Sequence, residues 1–221
     1  MASWESIYQA GKQLNRYPFS DIVSLIFQMK RDNPALKVLE LGCGAGNNVV
    51  FMASESVTCA AIDCSKSAID FAQARLSERN LNADLKVGCF TDLPWPDECF
   101  DLVIDRSALN CVPKPQIEVA LQQVLRVLRP KGRLFSQMYA DSHPAHNSAL
   151  NATSEFTTGF RYEGYQDIDG LYFASEKDVT LLFDGFEKVN IALSTSQTLS
   201  GNILSAQWSI SAFKPDTDQV G

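Results

Sequence analysis

The chain has 221 residues, 45% hydrophobic and 20% charged, the balance of a folded globular chain that can bury a core without disulfide or metal staples. Its formal net charge of −7 argues against a nucleic-acid partner, because such binding leans on Lys and Arg neutralising phosphates. No run reaches the ~18 apolar residues of a membrane span, and the first residues lack a basic head followed by an apolar stretch, so a cytoplasmic protein with no membrane partner is expected.

Residues 1–34 begin with a density of aromatics, Trp4, Tyr8, Tyr17 and Phe19. Trp4 and Tyr8 share one face of a helix, which either docks on the core or closes over a ligand as a lid. A helix over 22–29 ends before Asn33-Pro34, since proline disfavours helix in the residue before it. The first strand, 37–41, then runs into Glu40-Leu41-Gly42-Cys43-Gly44-Ala45-Gly46-Asn47-Asn48 and an apolar helix start. This is a buried strand, a tight glycine turn and a helix N-terminus. Glycine serves where the backbone takes positive φ or approaches a ligand closely, and a helix N-terminus favours an anion. The spacing departs from the dinucleotide fingerprint, with Asn47 where the third glycine would stand.

A second strand, 57–62, ends at Asp63, and Ser65 caps a helix over 67–78. An acidic residue in the place of Asp63 accepts hydrogen bonds from ribose hydroxyls in nucleotide-binding α/β proteins, the alternative being a loop aspartate that caps the Ser65 helix. Leu85, Val87 and Cys89 alternate as a third strand, and 100–104 is a fourth, apolar enough to be buried on both faces. Pro113 suits the first turn of a helix with apolar positions at 117, 120, 121, 124, 125 and 128, and Arg126 and Arg129 suit its C-terminal end. Pro130 and Gly132 stop it before a fifth strand, 134–138. Strand and helix alternate throughout, which predicts a doubly wound α/β sheet.

From 139 to 174 the periodicity fails. This stretch carries the only two histidines, His143 and His146, with Phe156, Phe160, Tyr162, Tyr165, Tyr172 and Phe173. An irregular segment this long inside a compact domain is either functional or carries small strands of its own. Ser175-Glu176-Lys177-Asp178 reads as a capping box opening a helix to about 183. Two β-rich runs follow, 187–194 and 203–213, and the tail, 214–221, is polar and expected to fray. The six cysteines, at 43, 59, 64, 89, 99 and 111, form no CxxC pair and read as free buried thiols rather than disulfides or a metal site.

Four features in order carry a family resemblance: Glu40-x-Gly42-x-Gly44-x-Gly46, Asp63, the run from Gly88 through Leu93-Pro94-Trp95 to Phe100-Asp101, and Leu128-Arg129-Pro130-Lys131-Gly132. They resemble the motifs of class I S-adenosylmethionine (SAM)-dependent methyltransferases of the small-molecule type. The resemblance implies one domain with a doubly wound, mostly parallel seven-stranded sheet and helices on both faces. Within it, 35–138 is the cofactor-binding core, 139–174 a substrate-side insertion, and 175–213 the last helix and strands. It implies SAM as cofactor, S-adenosylhomocysteine (SAH) as product, and a small-molecule methyl acceptor for a monomer or homodimer. The implied cofactor contacts are Tyr17, Glu40, Gly42, Cys43, Gly44, Gly46, Asn47, Asp63, Cys64, Cys89, Phe90, Thr91, Asp105 and Arg106.

Cys89 stands where the family has an aspartate that accepts from the adenine amino group. A thiol is a poor acceptor, so weaker affinity is expected, with adenine held by backbone groups at Phe90 and Thr91. Methyl transfer needs alignment and exclusion of water above all. A hydroxyl acceptor would also need a base, for which Asp105 and His143 are the candidates. Two other readings stand beside this one: a SAM-binding protein without turnover, and an NAD-linked oxidoreductase, which Asn47 disfavours.

Overall fold

The computed structural model describes residues 3–216. Its seven-stranded sheet follows from the apolar runs just described. The first five strands are β1 (Lys37–Leu41), β2 (Thr58–Asp63), β3 (Asp84–Val87), β4 (Phe100–Arg106) and β5 (Leu128–Tyr139). All five are parallel. A separate two-stranded piece, β6 (Asn151–Ala152) with β7 (Thr157–Thr158), lies in the insertion. The long hairpin of β8 (Glu187–Gln197) and β9 (Ile203–Phe213) adds to the sheet antiparallel through β9, giving the order β3-β2-β1-β4-β5-β9-β8. Strand order reverses between β1 and β4, and the carboxyl ends of strands at such a point open a ligand crevice.

The helices are α1 (Trp4–Gln9), α2 (Ser20–Asp32), α3 (Asn47–Ser54), α4 (Lys66–Ser77), α5 (Lys114–Val127), α6 (Pro144–Asn147) and α7 (Glu176–Leu182), with a 3-10 turn at Leu109–Cys111. Side chains alternate across a strand, so β1 feeds two cores. Val38 joins Ile22, Ile26, Val49 and Met52 from α2 and α3 on one face. Leu39 and Leu41 join Leu121 and Val124 of α5 and Val179 and Phe183 near α7 on the other. The capping chemistry is as read: Ser65 accepts from the Ala68 amide, and Ser175 and Asp178 form a reciprocal box. Among the described residues no helix is long and apolar enough to cross a membrane.

Several boundaries differ from the sequence expectation. The third strand stops at Val87, which leaves Cys89 beyond the sheet and exposed. Pro113 is the cap of α5, and Pro115 occupies its first turn. The helix ends at Val127 because Leu128 already pairs with Phe100. Residues 129–132 then bulge out, Lys131 at φ 62, before pairing resumes at Arg133. Lys214 is not frayed: its amide donates to the Gly132 carbonyl at 2.9 Å and its carbonyl accepts from Lys131. The rest of the expected tail, 217–221, lies outside the described residues. All six thiols are free, but Cys64 and Cys89 are exposed rather than buried.

Candidate functional site

The glycine turn after β1 is built by close approach. Gly42 has φ 59, and a Cβ there would overlap the Ala108 side chain. Gly46 has φ 77 and caps α3, where a Cβ would meet the Ala72 Cβ at 2.7 Å. Both positions therefore exclude other residues on two counts. The amides of the first turn of α3 have no intrahelical acceptors and face an anion favourably.

Two buried acids flank the turn. Glu40 accepts from the Asn48 side-chain amide at 2.6 Å through Oε1, while Oε2 has no partner. Burial pushes its carboxyl up to about 8, against the lowering effect of the Asn48 bond. Asp63 accepts from the Gly44 amide through Oδ2 at 2.8 Å and from the Ser65 amide through Oδ1 at 2.9 Å. Burial raises its pKa despite those two bonds. Each Asp63 oxygen retains a lone pair for a further donor.

The N-terminal segment lies over this crevice. Glu5 of α1 accepts from Ser65 Oγ at 2.6 Å and Ser67 Oγ at 2.7 Å, and these bonds hold its carboxyl down at about 2. The helix is thereby fastened to the start of α4. Arg75 of α4 donates to the carbonyls of Leu14, Asn15 and Ala45. The paired asparagines tie the same segment from below, Asn47 donating to the Tyr17 carbonyl and Asn48 accepting from the Phe19 amide. Trp4 and Tyr8 do share a face, with ring centroids 6.2 Å apart.

The result is a cavity of about 160 Å³ under α1. Of the residues expected at the cofactor, Glu40, Gly42, Cys43, Gly44, Asn47, Asp63, Cys64, Phe90 and Arg106 line it. Gly46 stands behind them as the α3 cap. Tyr17 contributes its carbonyl but leaves its side chain 76% exposed. Cys89 and Thr91 lie off the wall, and Thr91 Oγ1 donates to Cys89 Sγ at 3.0 Å.

The two candidate bases are not on the wall either. Asp105 is fully buried, accepting from the Ala108 and Leu109 amides at 2.8 and 3.0 Å and from Ser136 Oγ at 2.6 Å. Burial raises it to about 6, and its bonds shape the turn that sets Ala108 against Gly42. His143 accepts the Ala145 amide at 3.1 Å as the cap of α6 and is ringed by Tyr139, Tyr162, Tyr165 and Phe173. Burial pulls its pKa down to about 4. The 139–174 segment contributes nothing to the cavity wall, because its aromatics collapse on one another around Ala145, Phe160, Leu171 and Phe173. It backs the wall instead, through Cys111.

Wall residues that sequence reasoning did not assign include Gln13, Asn15, Asn48, Ala108 and Cys111. Asn48 carried a signal, as the second of two asparagines opening a helix after a glycine turn. Ala108, an alanine just past β4, carried none.

The residues present suit the implied cofactor. An orphaned buried carboxylate oxygen awaits a cationic donor, a second acid has lone pairs for hydroxyls, a glycine cradle admits a close contact, and Phe90 adds an apolar face. Comparison with known proteins agrees. Residues 38–132 match the family model for a methyltransferase domain. The fatty-acid O-methyltransferase of Mycolicibacterium smegmatis is 31% identical over 137 residues, covering 61% of this chain and 47% of that one. The chain spans about half the length of the curated relatives it matches.

In fold, the chain is similar to a SAM-dependent methyltransferase from Methanosarcina mazei, with TM-score 0.69 and 22% identity over 81% of this chain and 92% of that one. It is also similar to the 1,6-didemethyltoxoflavin-N1-methyltransferase of Burkholderia thailandensis, solved with its substrate and SAH, with TM-score 0.67 and 12% identity over 96% and 85%. Sheet order, glycine cradle, paired acids and the match over 38–132 thus converge: the chain has the doubly wound fold of the Rossmann-like methyltransferases, and its residues 38–132 are similar to a methyltransferase domain.

Proposed function

We propose that the protein transfers a methyl group from SAM to a small-molecule acceptor. The observation that carries this reading is the pair Glu40 and Asp63, both buried, both facing the cavity, with Glu40 Oε2 unsatisfied. A buried acceptor left unpaired costs free energy that a bound donor recovers. Glu40 would take the ammonium of the methionine part, the first-turn amides of α3 its carboxylate, Asp63 the ribose hydroxyls, and Phe90 a face of the adenine. When bound, the cofactor supplies an electrophilic methyl group on a sulfonium.

What the chain adds is alignment and exclusion of water, since positive charge disperses in such a displacement. Of the expected 1–34 lid, the described residues 3–34 cover the 35–138 core: Trp4, Tyr8 and Phe19 wall the cavity, and Glu5 and Arg75 hold the segment closed. The 139–174 insertion supports the acceptor side from behind, and 175–213 completes the sheet. A base at Asp105 or His143 finds no support in their surroundings, since both are buried and committed to backbone amides. Six free cysteines suit a reducing, cytoplasmic setting.

Titration calorimetry with SAH and NAD, followed by SAH formation from SAM across small-molecule acceptors, tests the proposal. Binding of SAH without NAD, and acceptor-dependent SAH release, are expected. A folded protein that ignores SAH would overturn it.

A further inference from the structure

One cation of the cavity, expected from the resemblance at the cofactor, is given no role by the cofactor contacts proposed above. Arg106 ends β4 and lines the wall, and its guanidinium lies over the Phe19 ring, 4.3 Å from the centroid. Its Nη1 donates to Ser107 Oγ at 3.1 Å, an oxygen that also accepts from Gln207 of β9 at 2.7 Å. Its Nε is buried with no hydrogen-bond partner, and it forms no ion pair among the described residues.

An arginine offers a side-on edge made of Nε–H and the neighbouring Nη–H, which matches the two oxygens of a carboxylate. With Nη1 engaged by Ser107, that edge is the part of Arg106 left open. A buried donor without a partner calls for an explanation, and an absent anionic ligand supplies one.

The position selects the source of the anion. Glu40, the glycine turn and Asp63 belong to β1 and β2. Arg106 ends β4, the strand between β1 and β5, and pairs in register with Gln137 of β5. The acids and the glycine turn that face the cofactor are thus supplied by β1 and β2, and Arg106 is supplied by β4.

Resting on the methyltransferase reading, we infer that Arg106 anchors a carboxylate carried by the methyl acceptor, so that the protein takes acidic rather than neutral or cationic acceptors. The other source of the same chemistry is the carboxylate of the cofactor's methionine part, and the test separates the two.

Calorimetry gives the affinity for SAH and for 5′-methylthioadenosine, which lacks the amino-acid part, in wild type, Arg106→Gln and Arg106→Lys. Thermal melts of the SAH-loaded proteins are then taken with benzoate and octanoate, and with benzamide and octanamide. The expected result is SAH affinity within about threefold in both variants, and stabilisation of the wild type by the carboxylates alone. That stabilisation is lost in Arg106→Gln and weakened about tenfold or more in Arg106→Lys, which keeps the charge but not the planar fork. A tenfold or greater loss of SAH affinity in Arg106→Gln, with 5′-methylthioadenosine unaffected, would assign the arginine to the cofactor and overturn the inference. So would equal stabilisation by amides, persistence in Arg106→Gln, or no effect of either carboxylate. Failure of the wild type to bind SAH at all would overturn the methyltransferase reading and this inference with it. Arg106→Lys keeps the test decisive where Arg106→Gln melts early.

Discussion

Asp63→Asn isolates the ribose assignment. The carboxylate holds two backbone amides, Gly44 at 2.8 Å and Ser65 at 2.9 Å, and offers its remaining lone pairs to the cavity. Asn keeps the shape but turns one oxygen into a donor, so it loses one amide bond and half of the acceptor capacity. A lost neutral-range bond costs about 1 kcal/mol of stability, while removing a buried charge returns part of it. The variant should therefore melt within a few degrees of wild type. Binding suffers more, because a hydrogen bond to a charged acceptor contributes about 1.5–3 kcal/mol, which is roughly ten- to hundredfold in affinity. Calorimetry with SAH and with its 2′-deoxy analogue closes a cycle: deletion of the hydroxyl should weaken wild type strongly and the variant little. A folded Asp63→Asn protein with wild-type SAH affinity would show that Asp63 serves only the glycine turn.

Other outcomes follow from the same geometry. The Glu40 carboxyl titrates near 8 in the fold against an ordinary 4.5, so its contribution to stability is complete below 4.5 and is lost as pH rises through 8. In pH-dependent melts, Glu40→Gln should gain on ligand-free wild type at pH 8 and not at pH 4. Because a cofactor ammonium favours the charged carboxylate, wild-type SAH affinity should rise across that window, and the Glu40→Gln profile should be flatter. Glu5→Ala removes the acceptor of Ser65 and Ser67, and limited trypsin digestion should then cut at Lys12 and Arg16 sooner. Asp105→Ala strands the buried Leu109 amide and the half-buried Ala108 amide and should cost about 3 kcal/mol in urea unfolding. His143→Ala should lower the melting temperature while SAH affinity, read by calorimetry, stays unchanged.

The sequence by itself determined the features whose physics is local. A strand, three glycines and a helix start within a dozen residues can form only a tight turn with open amides, and Glu40 and Asp63 sit at strand ends whatever the rest of the chain does. Ser65 and Ser175 cap helices because a hydroxyl reaches the amide three residues on. The strand order came from motif resemblance, and the sheet agrees with it.

What only the tertiary structure decided is which side chains face the cavity. Asp105 and Arg106 are adjacent in β4, and alternation sends them to different surroundings, the acid into backbone amides and the base to the wall. His143 looked available in an irregular stretch, but the aromatics of the same segment, from Tyr139 to Phe173, fold back and bury it. The role of Glu5 appears only once α1 meets α4. Composition and periodicity record how a segment folds on itself, while the direction a polar group finally points is set by contacts between segments far apart in the chain.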